Sequence, residues 1–255
     1  MNEKQSKLNL DQISEFYIDV FVQSQLSHFE SVLPKEVLSL DKAIVDVGGG
    51  CGYFARALGD SYGKSVRVVD MDPQSIEMCE KFGVVGTLGD ATNPVAEGDE
   101  EVVCLNLILH HLVGENENAT RQLQKSALLG WLGKSKYIFV NEYIYESYVR
   151  NFSGYLIYTI TRSKLLSAIG SFVSKFVPSL RANTFGVGVR FRAHNEWSEL
   201  FEECGFKVVT KILGDNEHVS LARRILFIDK IRRDSFLLAP SAGLPDETRY
   251  EPACL

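Results

Sequence analysis

The sequence has no long hydrophobic run. Its longest uncharged run of mostly apolar residues, 102–114, is shorter than the about 20 residues that a transmembrane helix needs. The residues after Met1 are charged and polar, without the apolar stretch of a secretory signal peptide. We therefore expect neither a membrane-spanning helix nor a signal peptide.

The cysteines follow neither a disulfide pattern nor a zinc pattern. There are five of them, an odd number, at scattered positions. The sequence therefore predicts free thiols, as in a protein of the reducing cytoplasm. The five residues are Cys51, Cys79, Cys104, Cys204 and Cys254.

Runs of basic residues, internal repeats and low-complexity segments are also lacking. The 27 Lys and Arg residues are outnumbered by 33 Asp and Glu residues, which gives a net charge of −6. Binding to nucleic acid needs clustered Lys and Arg for the phosphates, so we expect no nucleic-acid partner. The 255 residues, 45% of them hydrophobic, suffice for one domain or for one domain with an addition.

Short apolar segments alternate with amphipathic ones from residue 43 onward. Such alternation predicts a doubly wound, Rossmann-like α/β fold with a mostly parallel seven-stranded sheet, whose last strand is antiparallel. The predicted strands are 43–47, 66–70, 84–88, 101–109, 137–143, 207–213 and 224–231. The predicted helices are 54–58, 73–82, 119–132 and 195–204, preceded by a helix that Asp11 caps, with Ile13 and Phe16 on its apolar face, and that ends before Pro34.

One segment, 146–190, interrupts this alternation. It has six basic residues and one acidic residue, so it carries +5 in a chain of −6. Leu165, Ile169, Phe172 and Phe176 share one face of a predicted helix. Three interpretations stay open: a helical lid over an apolar site, a cap that completes the core or a homodimer, and a basic surface for an acidic carrier protein or an anionic membrane. We divide the chain into an N-terminal helical segment over the cofactor site (1–40), a main domain (41–239) and a flexible tail (240–255).

A glycine-rich loop follows the first predicted strand. Gly48, Gly50 and Gly52 come directly after Asp46, and glycines there let the backbone turn tightly and approach a ligand. Ligands of open α/β sheets bind at this edge of the sheet. Asp70 ends the second strand 70 − 52 = 18 positions later, where a carboxylate can accept both hydroxyls of a ribose. The pattern favours an adenosine-containing ligand, with a dinucleotide site and an unliganded turn as alternatives.

These residues resemble the class I S-adenosylmethionine (SAM)-dependent methyltransferases, over residues 43–213. The resemblance implies that the loop binds SAM, that Asp70 binds the ribose, and that Asp90 lies at the adenine amino group. Asn106 would border the methionine moiety. The cofactor-binding residues that the resemblance implies are Asp46, Gly48, Gly50, Gly52, Asp70, Met71, Asp90, Ala91 and Asn106.

The run Ile108-Leu109-His110-His111-Leu112 resembles the small-molecule O-methyltransferases. In that group a histidine at the place of His110 is the base, and a glutamate lies near Glu142 on the next strand. An imidazole can take a hydroxyl proton because its pKa lies near neutrality. The group has Asp-Trp where this chain has His111-Leu112, so a structural role for His110 stays open. No carboxylate at ligand spacing joins the two histidines, so we expect no metal.

Asn106 and Tyr143 suggest a second chemistry. Both end predicted neighbouring strands, where an amide can bind the methionyl amine and a phenol ring can stabilise the sulfonium. This resembles the azetidine-2-carboxylate synthases, which cyclise SAM and release methylthioadenosine. We expect methyl transfer to a small molecule, in secondary metabolism, with SAM cyclisation and non-catalytic SAM binding as alternatives. The candidate catalytic residues are His110, Glu142, Asn106 and Tyr143.

Overall fold

The computed structural model describes residues 20–37, 42–94, 96–180 and 184–241. The predicted cap Asp11, with Ile13 and Phe16, lies outside the described residues, as does all of the predicted tail beyond Ser241. The described helices are α1 (Val20–Val32), α2 (Tyr53–Tyr62), α3 (Pro73–Lys81), α4 (Glu117–Leu129), α5 (Phe152–Arg162), α6 (Lys164–Ser174), α7 (His194–Glu203) and α8 (Leu221–Arg224), with 3-10 turns at Leu109–His111 and Pro178–Leu180. The strands are β1 (Ala43–Val47), β2 (Val66–Asp70), β3 (Val85–Leu88), β4 (Glu100–Asn106), β5 (Tyr137–Ser147), β6 (Phe206–Ile212) and β7 (Ile228–Pro240).

The seven strands form one sheet in the order β3-β2-β1-β4-β5-β7-β6. Strands β1 to β5 pair in parallel, and β7 lies antiparallel between β5 and β6. The sequence-based prediction of a doubly wound, mostly parallel sheet with an antiparallel last strand is confirmed. The order reverses between β1 and β4, and this switch point is where ligands of such folds bind.

Helices cover both faces of the sheet, and each face has its own core. In β1, Ile44 packs with α1, α2 and α3, whereas Val45 and Val47 pack on the opposite face with α4 and α7. Every residue of β1 is buried. A parallel strand covered on both faces needs apolar residues at successive positions, which is why these strands were recognisable as continuous hydrophobic runs.

The described part of the N-terminal segment, α1, packs on the sheet. The Phe29 ring contacts Phe54 of α2 and Phe139 of β5 edge-to-face, with ring centroids 5.7 and 5.2 Å away. Phe29 is fully buried and fixes α1 beside α2. That the segment 1–40 covers a cofactor site stays a prediction, because residues 1–19 lie outside the described part.

Strand β4 ends earlier than the sequence predicts. The apolar run continues to Leu109, but the strand stops at Asn106 because Leu107 has a φ of 54°. A left-handed conformation at a leucine is uncommon and turns the chain sharply. The 3-10 turn that follows buries Leu109 and Leu112 in the core, so a turn produces the hydrophobic pattern that predicted a strand.

The last predicted strand is also wrong in its bounds. Ser220 accepts a hydrogen bond from the Arg223 backbone and caps the short helix α8, so Arg224 is helical rather than extended. Phe227 then has a φ of 62°, and β7 begins at Ile228. The strand continues to Pro240, which pairs with Phe206, so the first residue of the predicted tail belongs to the sheet.

The interrupting segment forms two helices. α5 packs on β5, and α6 packs on α5 and on the turn Pro178–Leu180. The helix predicted here is confirmed as α6. The apolar side chains of its predicted face are exposed.

Within the described ranges, Cys51, Cys79, Cys104 and Cys204 are buried and form no disulfide. No helix in this part of the chain has both the length and the apolar composition that crossing a membrane requires.

Candidate functional site

The glycine loop between β1 and α2 is built from left-handed residues. Gly48, Gly50 and Gly52 have φ values of 70°, 55° and 81°. At Gly48 a Cβ atom would overlap the Ile108 side chain, so the loop and the residues after β4 are in direct contact. A Cβ at Gly50 would have no atom within 4 Å, so the top of the loop faces open space. The loop has the close-approach geometry that a nucleoside-type ligand needs.

Asp70 connects the end of β2 to this loop. Its carboxylate accepts hydrogen bonds from the backbone N–H groups of Gly50 and Asp72, each at 2.9 Å. Burial raises the pKa of Asp70, and the hydrogen bonds from the two backbone groups oppose that shift. A carboxylate has about four lone-pair positions, so Asp70 can orient the loop and still accept from a ribose.

Asp46 and Asn106 form a second polar pair, at the ends of β1 and β4. Asn106 Nδ2 donates to Asp46 Oδ1 at 3.1 Å. Burial raises the pKa of Asp46 to about 7; the Asn106 hydrogen bond lowers it and the Asp70 charge raises it further. Asn106 Oδ1 is buried and has no partner among the described residues. A buried amide oxygen of this kind is costly unless a donor reaches it, and a ligand amine would be such a donor.

His110 and Glu142 are hydrogen-bonded to each other. His110 Nδ1 lies 2.6 Å from Glu142 Oε2, and both side chains are buried. The other oxygen, Oε1, accepts from the Leu109 backbone at 2.7 Å. Glu142 therefore fixes both the turn and the imidazole ring. A carboxylate that is hydrogen-bonded to Nδ1 keeps the imidazole proton on that nitrogen, so Nε2 is the nitrogen that can accept a proton.

Aromatic rings surround this pair. The His110 ring centroid lies 4.1 Å from that of His111 and 5.0 Å from that of Phe191, and Tyr143 meets His110 edge-to-face at 6.1 Å. Phe191 also stacks on Tyr145 at 4.2 Å. Burial, and then the charge of His110, lower the pKa of His111 well below its ordinary value. Sequence reasoning missed Phe191, which follows the insert and belongs to no periodic pattern.

Buried charges hold the end of the insert against the site. Arg190 donates through Nε to Glu117 at 2.8 Å and through Nη2 to Glu196 at 2.9 Å. Arg192 Nη1 donates to Glu117 at 2.8 Å, and the Arg190 backbone N–H donates to the His110 carbonyl at 2.9 Å. We call these residues, Glu117, Arg190, Arg192 and Glu196, the arginine clamp. Glu196 is a partner of both arginines.

A polar chain across the sheet also escaped sequence reasoning. Asn141 is the register partner of Asn106, so the two side chains project from the same face. Asn141 Nδ2 donates to Ser235 Oγ at 2.8 Å, and Ser235 Oγ lies 2.9 Å from His28 Nδ1. Asn141 Oδ1 is buried without a partner in the described residues. The sequence signal that could have revealed Asn141 is a polar residue at a core-facing position of an otherwise apolar strand.

The sequence model of a family described as "Methyltransferase domain" matches residues 45–127. These residues include the glycine loop, Asp70, Asn106 and His110. This part of the chain is a class I SAM-dependent methyltransferase domain. Families of this kind bind SAM. No curated protein matches the chain in sequence.

Solved structures share the fold of this methyltransferase domain. The mitomycin 7-O-methyltransferase MmcR is 13% identical with a TM-score of 0.53, over 87% of this chain and 54% of MmcR. A SAM-dependent methyltransferase from Geobacter sulfurreducens, in complex with S-adenosyl-L-homocysteine, is 15% identical with a TM-score of 0.50, over 93% of this chain and 100% of that one. A phosphoethanolamine N-methyltransferase 2 from Haemonchus contortus is 13% identical with a TM-score of 0.51, over 86% and 52%. The chain thus spans about half the length of two of these neighbours, and at these identities the likeness concerns the fold.

The remaining predicted cofactor residues of the methyltransferase domain lie beside Asp70. The Gly89 backbone donates to the Asp70 carbonyl at 2.9 Å, which holds Asp90 next to the end of β2. Asp90 is exposed, and it accepts hydrogen bonds from the N–H and hydroxyl of Thr92. Met71 is exposed and Ala91 packs against the core. Their roles in cofactor binding stay predictions.

The part of the chain that the structure describes has no cluster of metal-ligating side chains. There, no three His, Cys, Asp or Glu side chains are arranged to hold a metal ion. The rings of His110 and His111 contact each other at a tilt, with an interplanar angle of 39°.

Proposed function

We propose that this chain is an enzyme that transfers the methyl group of SAM to a small-molecule acceptor. The observation that carries the proposal is Asn106 Oδ1, which is buried without a partner in the described residues, while Asn106 Nδ2 binds Asp46 beneath an open glycine loop. The Asn106 oxygen can accept a hydrogen bond from a ligand, and the Asp46 carboxylate lies beside it. This combination suits the cationic amine of an amino acid moiety.

The residues at the switch point fit SAM as a ligand. The open space above Gly50 has room for the adenosine, with Asp70 at hand for the ribose hydroxyls. Asn106 Oδ1 would accept from the methionine amine, and Asp46 would balance the positive charge. Asp90 and Met71, at the adjoining strand ends, would border the adenine.

SAM supplies an electrophilic methyl group on a sulfonium. The chain must then orient the acceptor and remove its proton. His110 is the base that we propose, because Glu142 holds the proton on Nδ1 and leaves Nε2 free to accept one. Glu142 is a positioning residue, since the Leu109 N–H and the His110 ring occupy both of its oxygens.

The acceptor would lie beside the ring of His110 and the aromatic rings that contact it. Phe191 and Tyr143, with His111, form apolar walls near the proposed base. Apolar walls with a few polar groups are typical of small-molecule sites. Two neighbours of the same fold are named as methyltransferases of mitomycin and of phosphoethanolamine, both small molecules, which is consistent with this acceptor class.

The experiment that tests this function uses mass spectrometry. The protein is incubated with SAM alone, and with SAM plus a panel of phenols, catechols and amines. S-adenosyl-L-homocysteine that forms only with an acceptor supports methyl transfer. Methylthioadenosine plus a cyclic amino acid, formed without an acceptor, would show SAM cyclisation, in which Asn106 and Tyr143 orient the amine, and would overturn the proposal.

Calorimetry separates cofactor binding from catalysis. Asp70→Ala should weaken SAM binding by about 1–3 kcal/mol, because the ribose hydroxyls and two loop N–H groups lose their acceptor. Tight SAM binding without turnover for any acceptor in the panel would favour the non-catalytic alternative. Unchanged SAM affinity in Asp70→Ala would mean that the ribose site lies elsewhere.

A further inference from the structure

An apolar surface lies on the outside of the insert. Four apolar side chains on one side of α6 and just beyond its end are exposed, and two more stand on α8 and directly after it. Leu165 is 71% exposed and Phe176 is 72% exposed, while Leu221 and Ile225 reach 82% and 76%. Exposed apolar groups of this density mark an interaction surface rather than ordinary surface scatter. We call this surface the insert face; it comprises Leu165, Ile169, Phe172, Phe176, Leu221 and Ile225.

The turn Pro178–Leu180 connects the two parts of the insert face. It contacts both α6 and α8. The Arg223 side chain of α8 donates through Nε to the Ser179 carbonyl at 2.9 Å, which fixes α8 to that turn. The rings of Phe172 and Phe176 contact each other at 5.3 Å.

Positive charge borders the insert face. Residues 147–190 contain no Asp or Glu. Arg150, Arg162, Lys164 and Lys175 are exposed, and none of them forms an ion pair with a residue that the structure describes. Lys164 and Lys175 stand on α6 and directly after it, next to the projecting apolar side chains.

We propose that the insert face binds the surface of a membrane that contains anionic lipids. A helix with projecting apolar side chains and flanking Lys and Arg lies in the lipid interface, with its apolar face at the boundary of the acyl chains. Anionic headgroups pair with the basic side chains, and the acyl boundary accepts Phe172, Phe176 and Leu165 without preformed pockets. This inference concerns a surface outside the SAM site and does not depend on the proposed methyl transfer.

Charge argues for a lipid surface over a second copy of this chain. Two insert faces packed together would bring like charges opposite each other, with no acidic side chain in 147–190 to compensate. A membrane with anionic headgroups supplies a continuous negative surface, with a favourable free energy of about 1 kcal/mol for each basic residue near it.

The experiment is co-sedimentation of the full chain with vesicles. Vesicles of phosphatidylcholine mixed with phosphatidylglycerol should bind the protein, and pure phosphatidylcholine vesicles should bind it far less. Lys164→Gln/Lys175→Gln should weaken binding by about fivefold for each residue, and added salt should weaken it further. Phe172→Ser/Phe176→Ser should remove most of the binding.

Matched controls separate this surface from general effects. Lys134→Gln/Lys207→Gln removes two exposed lysines elsewhere, and Leu129→Ser removes an exposed apolar side chain at the end of α4; both should bind vesicles like the unmodified chain. Equal binding to neutral and anionic vesicles, or equal losses in the control variants, would overturn the proposal. So would a dimer in analytical ultracentrifugation, or a complex with an acidic carrier protein, that Phe172→Ser/Phe176→Ser disrupts while vesicle binding is absent.

Discussion

Two buried carboxylates, Asp46 and Glu142, lie on β1 and β5, the strands on either side of β4, and their surroundings give them different properties. Glu142 accepts hydrogen bonds with both oxygens, so it holds the turn and the ring of His110. Asp46 has the Asn106 amide as a partner, and burial raises its pKa to about 7. Its charge therefore changes near neutral pH, which makes Asp46 the residue whose ionisation a cationic ligand can shift.

The ionisation of Asp46 predicts a pH-dependent SAM affinity. Because its pKa is raised to about 7, the carboxyl is neutral below that pH and charged above it. SAM has a permanently charged sulfonium, so its affinity should rise by about five- to tenfold as the pH increases through about 7, the effect of a charge interaction of about 1 kcal/mol. Isothermal titration calorimetry from about pH 6 to about pH 8 measures this.

The matched variant is Asp46→Asn, which keeps the shape and cannot ionise. Its SAM affinity should not vary over the same range. Without ligand, the raised pKa of Asp46 contributes to the free energy of unfolding. This contribution is complete below the ordinary pKa of 3.8, and it is lost as the pH rises through about 7. Asp46→Asn should remove this part of the slope in urea denaturation, and an unchanged slope would contradict the assignment.

The pair of His110 and Glu142 predicts different effects for two variants. With any acceptor that turns over, His110→Gln should lower kcat by about 10²- to 10⁴-fold with little change in KM, because the base is lost. Glu142→Gln should alter the pH profile of kcat, since the neutral amide no longer fixes the tautomer of the ring.

A thermal unfolding curve for each variant is the control for folding. If His110 serves the structure alone, His110→Gln will lose stability and keep its kcat. Such a result would contradict its role as base and leave the proposal that SAM binds at Asp70 and Asn106 unaffected.

At the scale of elements, the arginine clamp determines where the insert returns to the sheet. Arg190 and Arg192 are almost fully buried and share the carboxylates of Glu117 and Glu196. Phe191 lies between the two arginines in sequence and stacks on His110. Two charged side chains thus hold an aromatic wall of the proposed acceptor site in place.

The clamp predicts a loss of stability at acid pH. Burial would raise the pKa of Glu117, but the charges of Arg192 and Arg190 outweigh burial and lower it. The contribution of Glu117 to the free energy of unfolding is therefore complete above its ordinary pKa of 4.5. It is lost as the pH falls through the lowered pKa. Glu117→Gln should cost about 1–3 kcal/mol at neutral pH, below the usual cost of breaking a buried pair because the side chain is partly exposed.

Urea denaturation at neutral and acid pH checks this, with Glu203→Gln as the control. Glu203 also pairs with two basic residues, Arg121 and Lys125, but its side chain is 45% exposed against 30% for Glu117. Exposed pairs contribute about 1 kcal/mol or less. Equal losses in the two variants would show that the clamp has no special role.

The bounds of two strands show where patterns along the chain mislead. Leu109 and Leu112 continue the apolar run of β4, and a 3-10 turn buries them as a strand would. In the other case, Ser220 caps a short helix and Phe227 turns the chain, so β7 begins four residues later than expected. Both errors arise at left-handed residues other than glycine, and sequence alone gives no signal for those.

At the scale of the whole molecule, charge and hydrophobicity are distributed unevenly. One continuous sheet has a core on each face, and the residues predicted to bind the cofactor stand at the strand ends between them. The insert carries +5 and its apolar side chains face outward, while the rest of the chain carries −11. The methyltransferase domain and the insert face therefore point to different partners, a small ligand and a surface.

The sequence by itself determined the fold class, the glycine loop and Asp70. Buried parallel strands need unbroken apolar runs, and a left-handed loop at a ligand needs glycines, so both leave a local pattern. Only the tertiary structure decided that Asn106 keeps a buried oxygen without a partner, that Glu142 orients His110, and that Arg190 and Arg192 hold the insert. Those contacts join residues far apart in the chain, and their geometry depends on how the elements pack, which no short stretch of sequence encodes.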